Sequence, residues 1–146
     1  MEYDLVIKNG NVIDVSDHSD LYQPWYKMDI GIKDDRIVKM GNIDSPEAKK
    51  VIDATGLVVS PGFIDIHTHS DTYLLVNPKA ESKIRQGVTT EVIGNCGLSA
   101  APLGGKYAPA KSILPDFVKP SWVTMSEYLI ALEKSGSSVN VIPLVG

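Results

Sequence analysis

The chain has 146 residues, a net charge of −4 and one cysteine, which is long enough to bury a hydrophobic core. Its acidic balance and lack of a basic cluster argue against a nucleic-acid partner. The lone Cys96 excludes an internal disulfide and fits a reducing, cytoplasmic setting, and neither a signal peptide at the acidic start nor a run of membrane-spanning length is expected.

Residues 4–60 read as short strands. Leu5–Lys8 is a β-branched run, Asn9-Gly10 is a turn signal, and Val12–Val15 follows as a second strand. The polar and then aromatic segment Ser16–Lys27 reads as a long hairpin loop. His18 sits in its solvated part, and Tyr22, Trp25 and Tyr26 pack it onto its own domain or form a ligand platform. Met28, Ile30 and Ile32 alternate with Asp29, Gly31 and Lys33, which predicts a half-buried strand. Asp34-Asp35 turns it back into Arg36–Met40, closed by Gly41-Asn42. Val51–Asp53 and Leu57–Val59 add two short strands. This spacing predicts the amino-terminal portion of a small β-sandwich or open barrel over 1–60.

After Pro61 the rhythm changes to strand, helix, strand, helix, strand. A buried strand runs from Gly62 to His67 or His69. A helix capped by Asn77, with Pro78 in its first turn, runs through Arg85 to Gly87. Val88–Ile93 is the second strand, closed by Gly94-Asn95-Cys96-Gly97. A Gly- and Pro-rich connection over 97–123 reads as a covering loop anchored by Ile113, Phe117 and Trp122. Thr124 with Glu127 is a capping-box signal for a helix with Tyr128, Leu129 and Leu132 on its apolar face, stopped by Gly136. Val139–Val145 is a third strand, with Pro143 acceptable only at a bulge or strand end.

Alternating apolar strands and helices predict a parallel α/β sheet over 61–146. A (β/α)8 TIM barrel takes about 250 residues, and the stretch after Pro61 is about a third as long. The expectation is therefore an incomplete barrel, open after its third strand unless other chain completes it.

The chemistry gathers at strand ends. Residues two apart on a strand share a face, so His67 and His69 would converge there. Cys96 would end the neighbouring strand. Two imidazoles and a thiolate make a reasonable zinc set, with later strands completing the ligands. The alternative for Cys96 is a small packed side chain. Asp65 is either a carboxylate partner of a histidine or bonded to nearby backbone; Asp71 is a ligand or, preferably, a start-of-helix residue. A metal with an open position activates water and polarises a carbonyl, which serves hydrolysis of amides, cyclic amides or amidines. A general base is also required, and no residue is an evident candidate.

These residues carry a resemblance. The short-strand start, the run Gly56–His69 ending His-Thr-His, and the strand-helix order resemble the metal-dependent amidohydrolase superfamily. Gln86–Leu103, with its Gly-Asn-Cys-Gly segment, is similar to the D-aminoacylase (N-acyl-D-amino-acid deacylase) branch. The resemblance implies Zn2+ held by His67, His69 and Cys96, with the catalytic aspartate and further histidines downstream. It implies a small-molecule N-acyl-D-amino acid substrate, cleaved to a carboxylate and a D-amino acid. It covers about the first third of such an enzyme, so the remainder of the barrel, or a completing chain, is the implied partner. The alternatives are a dihydroorotase-, hydantoinase- or dipeptidase-like hydrolase, or a fragment or subunit that is inactive alone.

Overall fold

The computed structural model describes residues 2–13, 25–44, 46–104, 114, 116 and 118–145. The fold is mixed α/β and divides into two compact units, Met1–Pro61 and Gly62–Gly146. No helix among the described residues is long and apolar enough to cross a membrane.

The first unit is one five-stranded sheet. Its strands are β1 (Tyr3–Val12), β2 (Tyr26–Lys33), β3 (Arg36–Gly41), β4 (Ala48–Asp53) and β5 (Val58–Val59). They lie in the order β3-β2-β1-β4, with β5 also on β1. β1–β2 and β2–β3 are antiparallel, whereas β4 and β5 run parallel to β1. Asp34 and Asp35, both with positive φ, make the β2–β3 turn as expected.

Asn9-Gly10 is not a hairpin turn. β1 runs straight through it, with a register irregularity against β2 between Ile7 and Gly10. The reason lies in Asp29, a buried carboxylate on β2. Asn9 takes a φ of 60°, and its N–H donates to Asp29 Oδ1 at 2.8 Å. Asp29 Oδ2 accepts from Lys8 Nζ at 2.7 Å and from the Ile43 N–H at 2.9 Å. The turn chemistry of Asn-Gly is spent on a bulge that feeds this carboxylate. Burial alone would raise the Asp29 pKa; the Lys8 ammonium and the two amides outweigh it and hold the pKa below its ordinary value.

Most of the 16–27 segment, with His18 and Tyr22, lies outside the described residues. Trp25 is exposed, and Tyr26 and Lys27 open β2 instead of closing a loop. Val6, Val12, Ile30, Ile43 and Ala54 are buried. Ile7, Ile13, Ile32, Ile37 and Met40 line an apolar trough on the sheet.

The second unit holds the parallel sheet β6-β7-β8: β6 (Phe63–Asp65), β7 (Val88–Ile93) and β8 (Asn140–Pro143). Pro143 is the last residue of its strand, where a missing N–H is tolerated. The helix expected from Asn77 is instead two single turns, α1 (Tyr73–Val76) and α2 (Glu81–Ile84). Asn77 ends the first instead of capping the second, because the residue before a proline is driven out of the helical region. Ala80, at φ 45°, separates Pro78 from α2.

α3 (Met125–Ser135) carries the full capping box between Thr124 and Glu127 and ends at Gly136 with φ 72°. Tyr128 and Leu132 are buried, whereas Leu129 faces outward. They pack with Leu74, Ile93, Trp122 and Val139 into the core of this unit. Trp122 Nε1 donates to the Ala100 carbonyl at 2.8 Å, so both described ends of the long connection are tied to this core. Ile113 and Phe117 lie outside the described residues.

Candidate metal centre

β6 is shorter and more exposed than the sequence suggests. It ends at Asp65, and Phe63, Ile64 and Ile66 are all more than half exposed, Ile66 by 73%. A three-stranded sheet leaves apolar side chains of an outer strand without cover. The histidines therefore lie beyond the strand, not on it. Their alternation nevertheless survives: His67 is exposed, Thr68 buried and His69 exposed. The Thr68 N–H donates to the Val92 carbonyl at 3.1 Å, and its hydroxyl to the same oxygen at 3.3 Å. Anchoring the middle residue turns both imidazoles to the other side.

Cys96 comes from the turn after β7. That turn holds three residues with positive φ: Gly94 at 77°, Cys96 at 59° and Gly97 at 72°. For a side-chain-bearing residue the left-handed region costs roughly 1–2 kcal/mol. The Asn95 carboxamide steadies the turn, its Nδ2 donating to Val92 O at 2.9 Å and to Thr68 O at 3.3 Å.

The outcome is convergence. One ligand atom each from His67, His69 and Cys96 lies within 4.8 Å of the others. Cys96 Sγ is 3.3 Å from His67 Nε2, and the two imidazoles meet edge to face with centroids 5.5 Å apart. Ligand atoms on one tetrahedral zinc sit about 3.5 Å apart, so the spacing and the N/N/S chemistry both fit that ion.

The surrounding charges decide the alternative left open for Asp65. Asp65 does not touch an imidazole. Its Oδ1 accepts the His67 backbone N–H at 3.2 Å and its Oδ2 accepts Lys83 Nζ at 2.8 Å. The Lys83 ammonium, and after it the His67 N–H, hold the Asp65 pKa below the ordinary carboxylate value. Asp71 is buried in the turn just before α1. Burial pushes its pKa up, against backbone amides of Asp71, Gly94 and Ala100 that pull it down. Neither of its oxygens meets full hydrogen-bond geometry among the described residues.

Sequence reasoning missed Lys83, Asn95 and Thr68. Lys83 sits between Asp65 and the fully buried Glu91, 3.7 Å from Glu91 Oε1. Asp65 and Glu91 are register partners across β6 and β7. A carboxylate in the middle of an apolar strand demands a cation nearby, and that was the available signal.

Comparison with known proteins identifies the family of the chain. Residues 50–135, more than half of the chain, match the amidohydrolase family. The chain is 40% identical over 145 residues to a D-aminoacylase of Alcaligenes xylosoxydans xylosoxydans, covering 99% of the chain and 29% of that protein. It is 43% identical over 126 residues to an N-acyl-D-aspartate deacylase of the same organism, covering 84% of the chain and 25% of that protein. The structure of the N-acyl-D-glutamate deacylase of Bordetella bronchiseptica, complexed with zinc and a phosphonate inhibitor, superposes with a TM-score of 0.85 at 34% identity, covering 100% of this chain and 30% of that one. The chain spans less than a third of the length of each of these proteins. Over the span it shares with them, in sequence and in backbone, this chain belongs to the amidohydrolase family.

Proposed function

We propose that this chain supplies the first part of a zinc-dependent active site that hydrolyses the amide bond of N-acyl-D-amino acids. The observation that carries the reading is the convergence of His67, His69 and Cys96 from two adjacent strand ends. Similarity to proteins named as D-amino-acid deacylases supports the substrate class. In this reading the two imidazoles and the Cys96 thiolate hold Zn2+. When bound, the ion supplies Lewis-acid polarisation of the scissile carbonyl and acidification of water. Thr68 and Asn95 fix the backbone that carries the donors, and the Asp65–Lys83 pair fixes the His67 amide.

The finer architecture belongs to the same proposal. The first unit is read as the start of a β-sandwich whose apolar trough takes further strands. The second is read as the first three strands of a (β/α)8 barrel, whose exposed Ile64, Ile66 and Ile142 await the remainder. The general base is assigned to that remainder. Among the described residues near the donors, Asp65 is engaged by Lys83 and Asp71 is buried.

The test is a chimera in which this chain replaces the matching first part of the D-aminoacylase it resembles. Chelator-sensitive deacylation of N-acetyl-D-amino acids, lost on Cys96→Ala, supports the reading. A folded, zinc-loaded chimera that leaves them intact, or one that cleaves only cyclic amides, contradicts it. The chain alone is expected to show no turnover.

A further inference from the structure

We infer that Asn95 is a positioning residue that couples the two donor-bearing segments, fixing Cys96 against His67. The inference rests on the zinc reading above. Three observations carry it. First, Cys96 occupies the left-handed region, a conformation that persists for a non-glycine residue only when its surroundings over-determine it. Second, the neighbouring Asn95 carboxamide makes one hydrogen bond within its own segment and one across to the segment of the histidines. Nδ2 reaches the Val92 carbonyl at the end of β7 and the carbonyl of Thr68, the residue between the two histidines. Third, Thr68 is itself buried and bonded to that same Val92 carbonyl through its N–H and hydroxyl. One carboxamide thus ties the turn that presents the thiol to the segment that presents both imidazoles.

An amide donor is required at this place. Both partners of Nδ2 are carbonyl oxygens, which accept and cannot donate. An aspartate of the same shape would turn a carboxylate oxygen toward two carbonyls. The distance set here is the 3.3 Å between Cys96 Sγ and His67 Nε2, and residues that orient metal ligands from behind change metal affinity by about 10- to 100-fold when replaced.

The experiment uses the fact that Cys96 is the sole cysteine. Alkylation of the chain by iodoacetamide is followed against zinc concentration for the wild type, Asn95→Asp, Asn95→Ala and Thr124→Ala. The last weakens the cap of α3 and reports what a general loss of stability does. The expected result is zinc protection of wild-type Cys96 and a rise of about tenfold or more in the zinc needed for half-protection in both Asn95 variants. Thr124→Ala should remain near the wild type. Cobalt loading adds a signature, a thiolate-to-metal absorption band that weakens in the Asn95 variants. If zinc never protects the wild type, the zinc reading fails and the role of Asn95 falls with it. If the wild type is protected and a folded Asn95 variant is protected equally, the role of Asn95 alone is overturned. An equal shift in Thr124→Ala overturns it as well. Should Asn95→Asp fail to fold, Asn95→Ala decides.

Discussion

The thiol of Cys96 lies 3.3 Å from Nε2 of His67, although the two residues are 29 positions apart and on different strand ends. The contact exists because β6 and β7 are parallel neighbours, so their carboxyl ends share one rim. Parallel strands bring strand-end residues together in this way wherever sites form on such sheets. The second imidazole, His69, joins the pair through the anchored Thr68 between them.

Removing Lys83 should be costly. Its ammonium serves Asp65 at 2.8 Å and stands 3.7 Å from the fully buried Glu91. Lys83→Met leaves the Glu91 carboxylate without a described cation, and because Lys83 is itself partly exposed the cost should be about 1–3 kcal/mol. Urea unfolding should show such a loss, with Glu91→Gln recovering part of it in the double variant. A double variant no more stable than Lys83→Met would show that Glu91 does not depend on this lysine.

Gly94 cannot be replaced cheaply. Its φ is 77°, and a Cβ there would meet the Leu144 carbonyl oxygen. Left-handed strain and a backbone clash act together, so Gly94→Ala should destabilise by more than about 1–2 kcal/mol. The same change at Gly97, where φ is 72° and no atom of the described residues lies near, should cost only the conformational part. Equal losses in thermal unfolding would show that the Leu144 contact carries no weight.

The first unit should lose stability in acid. Asp29 has a folded pKa below its ordinary value of 3.8, so its contribution is present above that value and lost as pH falls through the folded one. Lys8→Met removes one of its three donors and narrows the gap between the folded and unfolded values. Acid unfolding followed by circular dichroism should therefore begin at higher pH in this variant. An unchanged acid midpoint would mean that the Lys8–Asp29 pair contributes nothing to the native state.

Much of this was legible in the sequence for physical reasons that also explain the failures. The capping box of α3 and the Asp34-Asp35 turn are local chemistry, and local chemistry reads directly. His67, His69 and Cys96 were legible as a set because strand order in a parallel sheet follows chain order here. Asn9-Gly10 misled because its turn preference was overridden by a distant carboxylate, Asp29. Pro78 misled in the same way: its fitness for a first helical turn was outweighed by its effect on Asn77. The burial of β6 was misjudged because apolar composition reports what a strand can be packed against, not what covers it within this chain. Lys83 was invisible because a cation's partners across a sheet are set by register.

His67, His69 and Cys96 are proposed to hold zinc together. The direct measurement is the zinc content of the chain after equilibration with zinc and removal of the excess, compared with His67→Ala, His69→Ala and Cys96→Ala. Bound zinc is expected in the wild type and its loss in each variant, with secondary structure retained. Zinc content unchanged in both His67→Ala and Cys96→Ala would contradict it.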